Sequence, residues 1–170
     1  MNHRFVCACA VFVFAVAATS AQEKHTFSGK CAKPEVVQSI PAGDKDGHTF
    51  MLQQGKCETT TGDVGSEKSK SGAFAEHNEA TGTHLKGWGV YTETFDSGDK
   101  IFYSYQTTGT TKDGAFAGGG NKYQISGGTG KMKGIKGSGS CKLTAGDAGG
   151  LDYSCEGEYT LPAAAPAKKK

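Results

Sequence analysis

Histidines and carboxylates that could bind a metal ion come together in the middle of the chain: Glu76, His77, Glu79 and His84. Zinc and copper sites need several such side chains on one face. Side chains alternate between the two faces of a β-strand, so Glu76 and His77 point in opposite directions in the strand predicted here. A turn at Gly82 separates the two histidines. We therefore expect these residues to lie on the solvated surface, and we predict no metal site and no cofactor.

Two other motifs that would carry chemistry are incomplete. The pair Gly130-Lys131 is similar to the end of a phosphate-binding P-loop. However, Met132 stands where that loop requires Ser or Thr, and Ile125 stands where it requires glycine. No serine lies in a Gly-x-Ser-x-Gly elbow ahead of a helical segment, so hydrolase chemistry has no support either.

The cysteines predict disulfides rather than metal or redox chemistry. Two of the six lie in the apolar N-terminal run, which leaves Cys31, Cys57, Cys141 and Cys155. Neither C-x-x-C spacing nor two close pairs of a zinc site occurs among these four. Four cysteines allow three pairings, and proximity in sequence favours Cys31 with Cys57 and Cys141 with Cys155.

The two ends of the chain are predicted to lie outside the folded domain. Residues 1–4 are basic, 5–18 are apolar and 19–21 are small, which is the pattern of a secretory signal peptide. The apolar run is shorter than the roughly 20 residues of a membrane span. Residues 162–170 form a lysine-rich tail that we expect to be disordered. We predict a single domain over 22–161, export to the periplasm or the extracellular space, and no membrane segment after cleavage.

The charge distribution argues against a nucleic-acid partner. The chain has a net charge of +2, and its one arginine, Arg4, lies in the predicted signal peptide. Three of the lysines stand at the very end, and the remaining 15 lysines face 17 acidic residues without forming a basic cluster. Nucleic-acid-binding domains concentrate basic residues on one face. The sequence does not indicate an oligomeric state.

Short segments separated by Gly, Asp and Ser predict an all-β fold. Glycine accounts for 26 of the 170 residues, about twice its usual share. We expect one short strand within 22–47, a polar loop over 62–72, and strands over 48–57, 73–81, 84–95, 100–107, 115–117, 121–126, 137–144 and 151–161. No window has a sustained helical period. The prediction is an antiparallel barrel of about eight strands.

The hairpin over 88–107 supplies candidate ligand-binding residues. A two-residue turn at Ser97-Gly98 would place Thr92 opposite Tyr103. One face would then hold Trp88, Val90, Thr92, Thr94, Ile101, Tyr103 and Tyr105, and the other Tyr91, Glu93, Phe95, Phe102, Ser104 and Gln106. The first face is the more apolar, so we predict that it faces the interior. The candidate ligand-binding residues are Trp88, Thr92, Tyr103 and Tyr105, together with Tyr123. A three-residue turn would change the partners.

Residues 123–139 read Tyr-Gln-Ile-Ser-Gly-Gly-Thr-Gly-Lys-Met-Lys-Gly-Ile-Lys-Gly-Ser-Gly. This run resembles the strand–turn–strand signature of the allene oxide cyclase barrel-like families, and dirigent proteins carry a similar turn. The closing Cys-Glu-Gly-Glu-Tyr-Thr-Leu-Pro at 155–162 and the hairpin at 91–109 resemble further strands of such barrels. The resemblance covers 83–162. It implies an eight-stranded, calycin-like antiparallel barrel with a central cavity.

The same resemblance implies a range of activities. Such barrels steer a reactive apolar molecule within a dry cavity, using shape, one carboxylate and a few hydroxyls. Glu93 with Tyr91, or Tyr103 and Tyr105 with Thr92, would supply these groups. No catalytic residue is assigned, because the match lies in a turn, and the absence of arginine from the mature chain departs from dirigent proteins. We predict a barrel that binds a small apolar or aromatic ligand, with a cyclase or isomerase and a packed structural module as alternatives.

Overall fold

The computed structural model describes residues 21–162 of the chain. The predicted lysine-rich tail after Pro162 and the predicted signal peptide, except its last residue, lie outside the described residues. Within the described part the strands are β1 Glu23–Cys31, β2 Glu35–Pro41, β3 His48–Val64, β4 Glu67–Thr81, β5 His84–Phe95, β6 Lys100–Lys112, β7 Ala115–Gly128, β8 Lys136–Ala145 and β9 Leu151–Thr160. The only helical segments in this range are two single 3-10 turns, Gly130–Met132 and Asp147–Gly149.

The strands form a closed antiparallel barrel, as predicted. From β3 to β9 each strand pairs with the next one along the chain, and β1 pairs with both β9 and β3. Eight strands thus close the barrel. The extra strand, β2, pairs with the first part of β3, whose second part pairs with β1. Because β3 is long, it can pair with both β2 and β1.

Three segments differ from the sequence prediction. The region before residue 48 contains two strands instead of one. Residues 62–72, predicted as a polar loop, continue β3 and β4 around a tight turn at Gly65, where φ is +60°. The segments 115–117 and 121–126 belong to one strand, β7. In each case the backbone pairs with its neighbours although the side chains lack the apolar alternation that marks a half-buried strand.

Glycines make room for the aromatic side chains inside the barrel. A Cβ atom added at Gly72 would lie 2.0 Å from the hydroxyl oxygen of Tyr91, and one at Gly157 would lie 2.3 Å from that of Tyr123. Rings lie in the same way over Gly29, Gly55, Gly89 and Gly109. An aromatic ring that covers a glycine on a neighbouring strand fills the space that a side chain would otherwise take. Much of the high glycine content therefore reflects packing of the interior.

One end of the barrel is closed by apolar side chains. The residues at this end are at most 1% exposed: Val64, Phe95, Ile101, Met132 and Ile135. The Gly-Gly-Thr-Gly-Lys motif forms the turn that carries Met132 across this end. Asp99 accepts a hydrogen bond from the Lys131 backbone N–H at 3.0 Å, and the Thr129 hydroxyl accepts one from the Lys100 N–H at 2.9 Å. The motif thus ties the β7–β8 connection to the β5–β6 turn.

Both predicted disulfides are confirmed. Cys31–Cys57 joins β1 to β3, where the barrel closes, and Cys141–Cys155 joins β8 to β9. Their loops span 26 and 14 residues. On the chain-entropy model each such cross-link stabilises the folded state by about 3–4 kcal/mol.

Candidate ligand-binding cavity

The barrel interior contains a cavity of about 500 Å³. Its rim is formed by residues near the β1–β2, β6–β7 and β8–β9 connections, including Lys33, Asp113 and Gly149. These connections all lie at the end of the barrel opposite to the apolar closure. The cavity therefore opens at one end only of the described barrel.

The floor of the cavity is a cluster of five aromatic rings: Phe27, Tyr91, Tyr103, Tyr123 and Tyr153. Neighbouring ring centroids in this cluster lie 5.5–6.4 Å apart, mostly tilted or edge to face. These are the geometries that aromatic pairs prefer. The rings of Phe74, Tyr105 and Phe116 continue the aromatic surface up the wall, and both disulfides also line it.

A buried carboxyl group lies beneath this floor, one row closer to the closed end. Glu93 is fully buried, and its Oε2 accepts a hydrogen bond from the hydroxyl of Tyr103. Burial raises the pKa of Glu93, and hydrogen bonding by Ser69 and Tyr103 only partly offsets the rise. Burial, together with the charge of Glu93, also raises the pKa of the Tyr103 hydroxyl well above its usual value. The tyrosine is thus a neutral hydrogen-bond donor throughout the physiological range.

A second carboxylate, Glu76, lies directly on the cavity wall. Its Oε2 accepts a hydrogen bond from the Tyr105 hydroxyl at 2.8 Å, and its Oε1 accepts one from the Asn78 amide at 3.0 Å and another from the Gln53 amide. The adjacent Tyr105 has a raised pKa because of its burial and the charge of Glu76. Three neutral donors therefore hold the carboxylate in one orientation on the wall.

The structure brings together three of the five predicted ligand-binding residues. Tyr103, Tyr105 and Tyr123 line the cavity. The predicted inner position of Trp88 and Thr92 is wrong: Thr92 pairs with Phe102 on the outer face, and Trp88 is 36% exposed and stacks on His77 at 5.3 Å.

The correction follows from the length of the turn between β5 and β6. The Phe95 N–H donates to the Asp99 carbonyl at 3.0 Å, so three residues, not two, form the turn, and Gly98 takes its left-handed position with φ of +86°. Thr94 then pairs with Lys100, one position away from the predicted register. A shift by one residue exchanges the two faces of a strand. Tyr91, Glu93 and Phe95 accordingly point inward on β5.

Sequence reasoning assigned Glu76 to the solvated surface, and that expectation is wrong. Glu76 lies on the same face of β4 as Gly72, Phe74 and Asn78, which is the inner face. The large aromatic ring of Phe74 was the signal in the sequence that could have identified this face as the inner one. His77 and Glu79 lie on the opposite face, as alternation predicted. Within residues 21–162 no group of three His, Cys, Asp or Glu side chains is placed to hold a metal ion. Across the same range, no helix has the length and apolar character needed to span a bilayer.

Comparison with solved structures finds other proteins at low identity. The pterocarpan synthase dirigent protein GePTS1 shares 12% identity with a TM-score of 0.46, over 91% of this chain and 100% of that one. The pterocarpan synthase dirigent protein PsPTS1 shares 11% identity with a TM-score of 0.43, over 87% and 98%. A protein of unknown function of the DUF3224 family from Shewanella oneidensis MR-1 shares 16% identity with a TM-score of 0.42, over 84% and 100%.

No family model and no curated protein matches the chain.

Proposed function

We propose that this protein is an exported barrel that binds a small apolar or aromatic molecule in its cavity. The observation that carries the proposal is the combination of an open end with an aromatic interior of about 500 Å³. Ligand pockets usually measure about 300–1,000 Å³ and are lined mainly by apolar and aromatic groups with a few polar ones. The bound molecule would contact Tyr103, Tyr105 and Tyr123, with Phe74 and Tyr91 beside them.

Export is supported by the pattern of residues 1–21 and by the two disulfides, because disulfides persist mainly in oxidising compartments. N-terminal sequencing of protein recovered from outside the cytoplasm should begin at Gln22. An N-terminus at Met1 in that material would contradict cleavage of a signal peptide.

The binding proposal can be tested with two tryptophan substitutions at adjacent positions. Leu85 is buried and lines the cavity, whereas Lys86 is exposed on the outer face of β5. We expect the neutral dye N-phenylnaphthylamine to bind the wild-type protein. Leu85→Trp should weaken binding by about tenfold or more, because the larger ring fills part of the cavity, and Lys86→Trp should leave it unchanged. A failure of the dye to bind, or equal binding by both variants, would refute binding in the cavity.

The buried pair of Glu93 and Tyr103 supports a second candidate, isomerisation or cyclisation of a reactive apolar substrate. Glu93 lies beneath the floor, so the Tyr103 hydroxyl, which lines the cavity, would contact the substrate and transfer a proton between it and the carboxyl group. The two candidates differ in what leaves the cavity. A molecule captured by the protein and released after incubation would be unchanged by a binding protein. An isomerase would return it with the same mass and a different chromatographic retention, and Glu93→Gln would abolish that conversion.

A further inference from the structure

The wall of the cavity carries a negative charge that no positive side chain neutralises. All three hydrogen-bonding partners of Glu76 are neutral groups, those of Gln53, Asn78 and Tyr105. The ion pairs found among residues 21–162 involve other carboxylates. Hydrogen bonds from neutral donors orient a carboxylate, but its charge still attracts a cation that enters the same space.

Positive side chains are kept out of the interior. Among the described residues that line the cavity, Lys33 is the one cationic side chain, and it lies at the rim beside Gly149, with Asp113 also at the rim. The lysines of the neighbouring strands, such as Lys86 and Lys122, are exposed on the outer face. An anionic ligand would therefore meet the carboxylate of Glu76 inside the cavity without any compensating cation.

The remaining features of the wall also favour a positively charged ligand. Aromatic rings carry negative charge on their faces and attract a cation that lies over them, and the wall and floor present the rings of Phe74, Tyr91 and Tyr105 to the cavity. The side chain of Asn78 is 2% exposed, and its amide oxygen has no hydrogen-bond partner in the described chain, although its amide nitrogen donates to Glu76. This amide oxygen is itself buried over Gly87, so it adds partial negative charge to the interior without being exposed to the cavity.

We propose that the cavity takes an organic cation: an aromatic or apolar molecule that bears an ammonium group, with the ammonium at the Glu76 carboxylate and the apolar body against the aromatic rings. This inference rests on the proposed function and specifies the charge of the ligand. It also excludes carboxylic acids, including fatty acids, as preferred ligands, because repulsion from Glu76 acts in a site of low dielectric constant.

Three probes of matched shape test this directly: naphthylmethylamine, which is cationic near neutral pH, naphthylmethanol, which is neutral, and naphthoate, which is anionic. Isothermal titration calorimetry with the wild-type protein should show the amine binding about tenfold or more tighter than the alcohol. Naphthoate should bind more weakly than either. Equal affinity for the amine and the alcohol would overturn the inference while leaving the proposed function intact. Failure of all three probes to bind would refute both.

Substitutions at the carboxylate separate its charge from the shape of the cavity. Glu76→Gln should weaken binding of the amine about tenfold and change that of the alcohol by less than about twofold. Glu58→Gln, which removes an exposed carboxylate from the outer face of β3, serves as the matched control and should change neither. A loss of affinity for the amine and the alcohol alike would mean that Glu76 only shapes the cavity, and would overturn the inference.

A second variant keeps the test independent of the stability of Glu76→Gln. Gln53→Lys would place an ammonium beside Glu76 in the position of the present amide donor. The amine should then lose its advantage over the alcohol, and naphthoate should gain affinity relative to the wild-type protein. Unchanged selectivity in a folded Gln53→Lys variant would contradict an electrostatic role for this carboxylate.

Discussion

The packing of Tyr91 over Gly72 gives a sharp test of how glycine shapes this barrel. The backbone of Gly72 is not in the left-handed region, so alanine is compatible with its conformation. A Cβ atom there would nevertheless lie 2.0 Å from the hydroxyl oxygen of Tyr91 and 2.2 Å from the ring carbon that carries it. Tyr91 would have to move, and its hydroxyl is hydrogen-bonded to that of Tyr153 at 3.3 Å.

The expected magnitude follows from two opposing effects. Overfilling a well-packed interior costs about 1–3 kcal/mol, whereas replacing glycine by alanine within a strand stabilises by about 0.5–1 kcal/mol through backbone entropy. Gly72→Ala should therefore lower the free energy of unfolding by about 1–2 kcal/mol. In a Tyr91→Ala background the obstacle is absent, so Gly72→Ala should there raise the free energy of unfolding by about 0.5 kcal/mol.

Urea unfolding of the four members of this double-mutant cycle, followed by circular dichroism, measures the coupling between the two positions. Gly120→Ala is a suitable control, because its added Cβ atom would meet no ring and only the carbonyl oxygen of Cys141, at 3.0 Å. If Gly72→Ala had the same effect with and without the Tyr91 ring, the explanation of the glycine content by aromatic packing would be wrong.

Three further predictions concern other parts of the barrel. Burial lowers the pKa of His25 from 6.5 to about 4. Between these two pH values the unfolded chain binds a proton at this histidine and the folded protein does not. The free energy of unfolding should therefore fall by up to about 3 kcal/mol as the pH drops from 6.5 to 4. Urea unfolding at several pH values should show a weaker decline in the free energy of unfolding for His25→Phe than for the wild-type protein. Comparing the two separates the effect of His25 from that of Glu93, whose raised pKa makes stability rise as the pH falls. Equal pH dependence in both proteins would contradict this. Replacing Cys31 and Cys57 by alanine should lower the free energy of unfolding by about 3–4 kcal/mol; an unchanged urea midpoint would contradict a stabilising cross-link. Trp88 is the one tryptophan in the sequence and lies on the outer face, so the wavelength of its emission maximum should not shift when a ligand fills the cavity; a shift would indicate binding elsewhere.

The strand pattern and the disulfides could be predicted because they depend on local signals. Turn residues separate most of the strands, and the two pairs of cysteines nearest in sequence also lie on adjacent strands of the barrel. The segment 62–72 could not be recognised as strand, because the polar Ser69, which pairs with the inward-facing Phe95, stands where an apolar residue would mark the inner face. Pairing there depends on the backbone and on the neighbouring strands.

The candidate site was only partly predictable, because it depends on register. The three tyrosines on β6 and β7 that were predicted to bind ligand do line the cavity, whereas Trp88 and Thr92 on β5 do not. The sequence Asp96-Ser97-Gly98-Asp99 is compatible with turns of two or three residues, and the choice between them reverses the faces of β5. Predicting that Glu76 faces the cavity would have required knowing which residues of β4 point inward.

The pairing of β1 with β9 determines when the molecule can fold. Glu23 and Tyr159 are neighbours, linked by a hydrogen bond of 2.7 Å, although 136 residues separate them along the chain. During synthesis the first strand has no partner on that side until the last one has been made, and such distant contacts form slowly. A chain that crosses a membrane before it folds has to remain open in the meantime. This ring can therefore close only once the last strand is available, whatever route the chain takes.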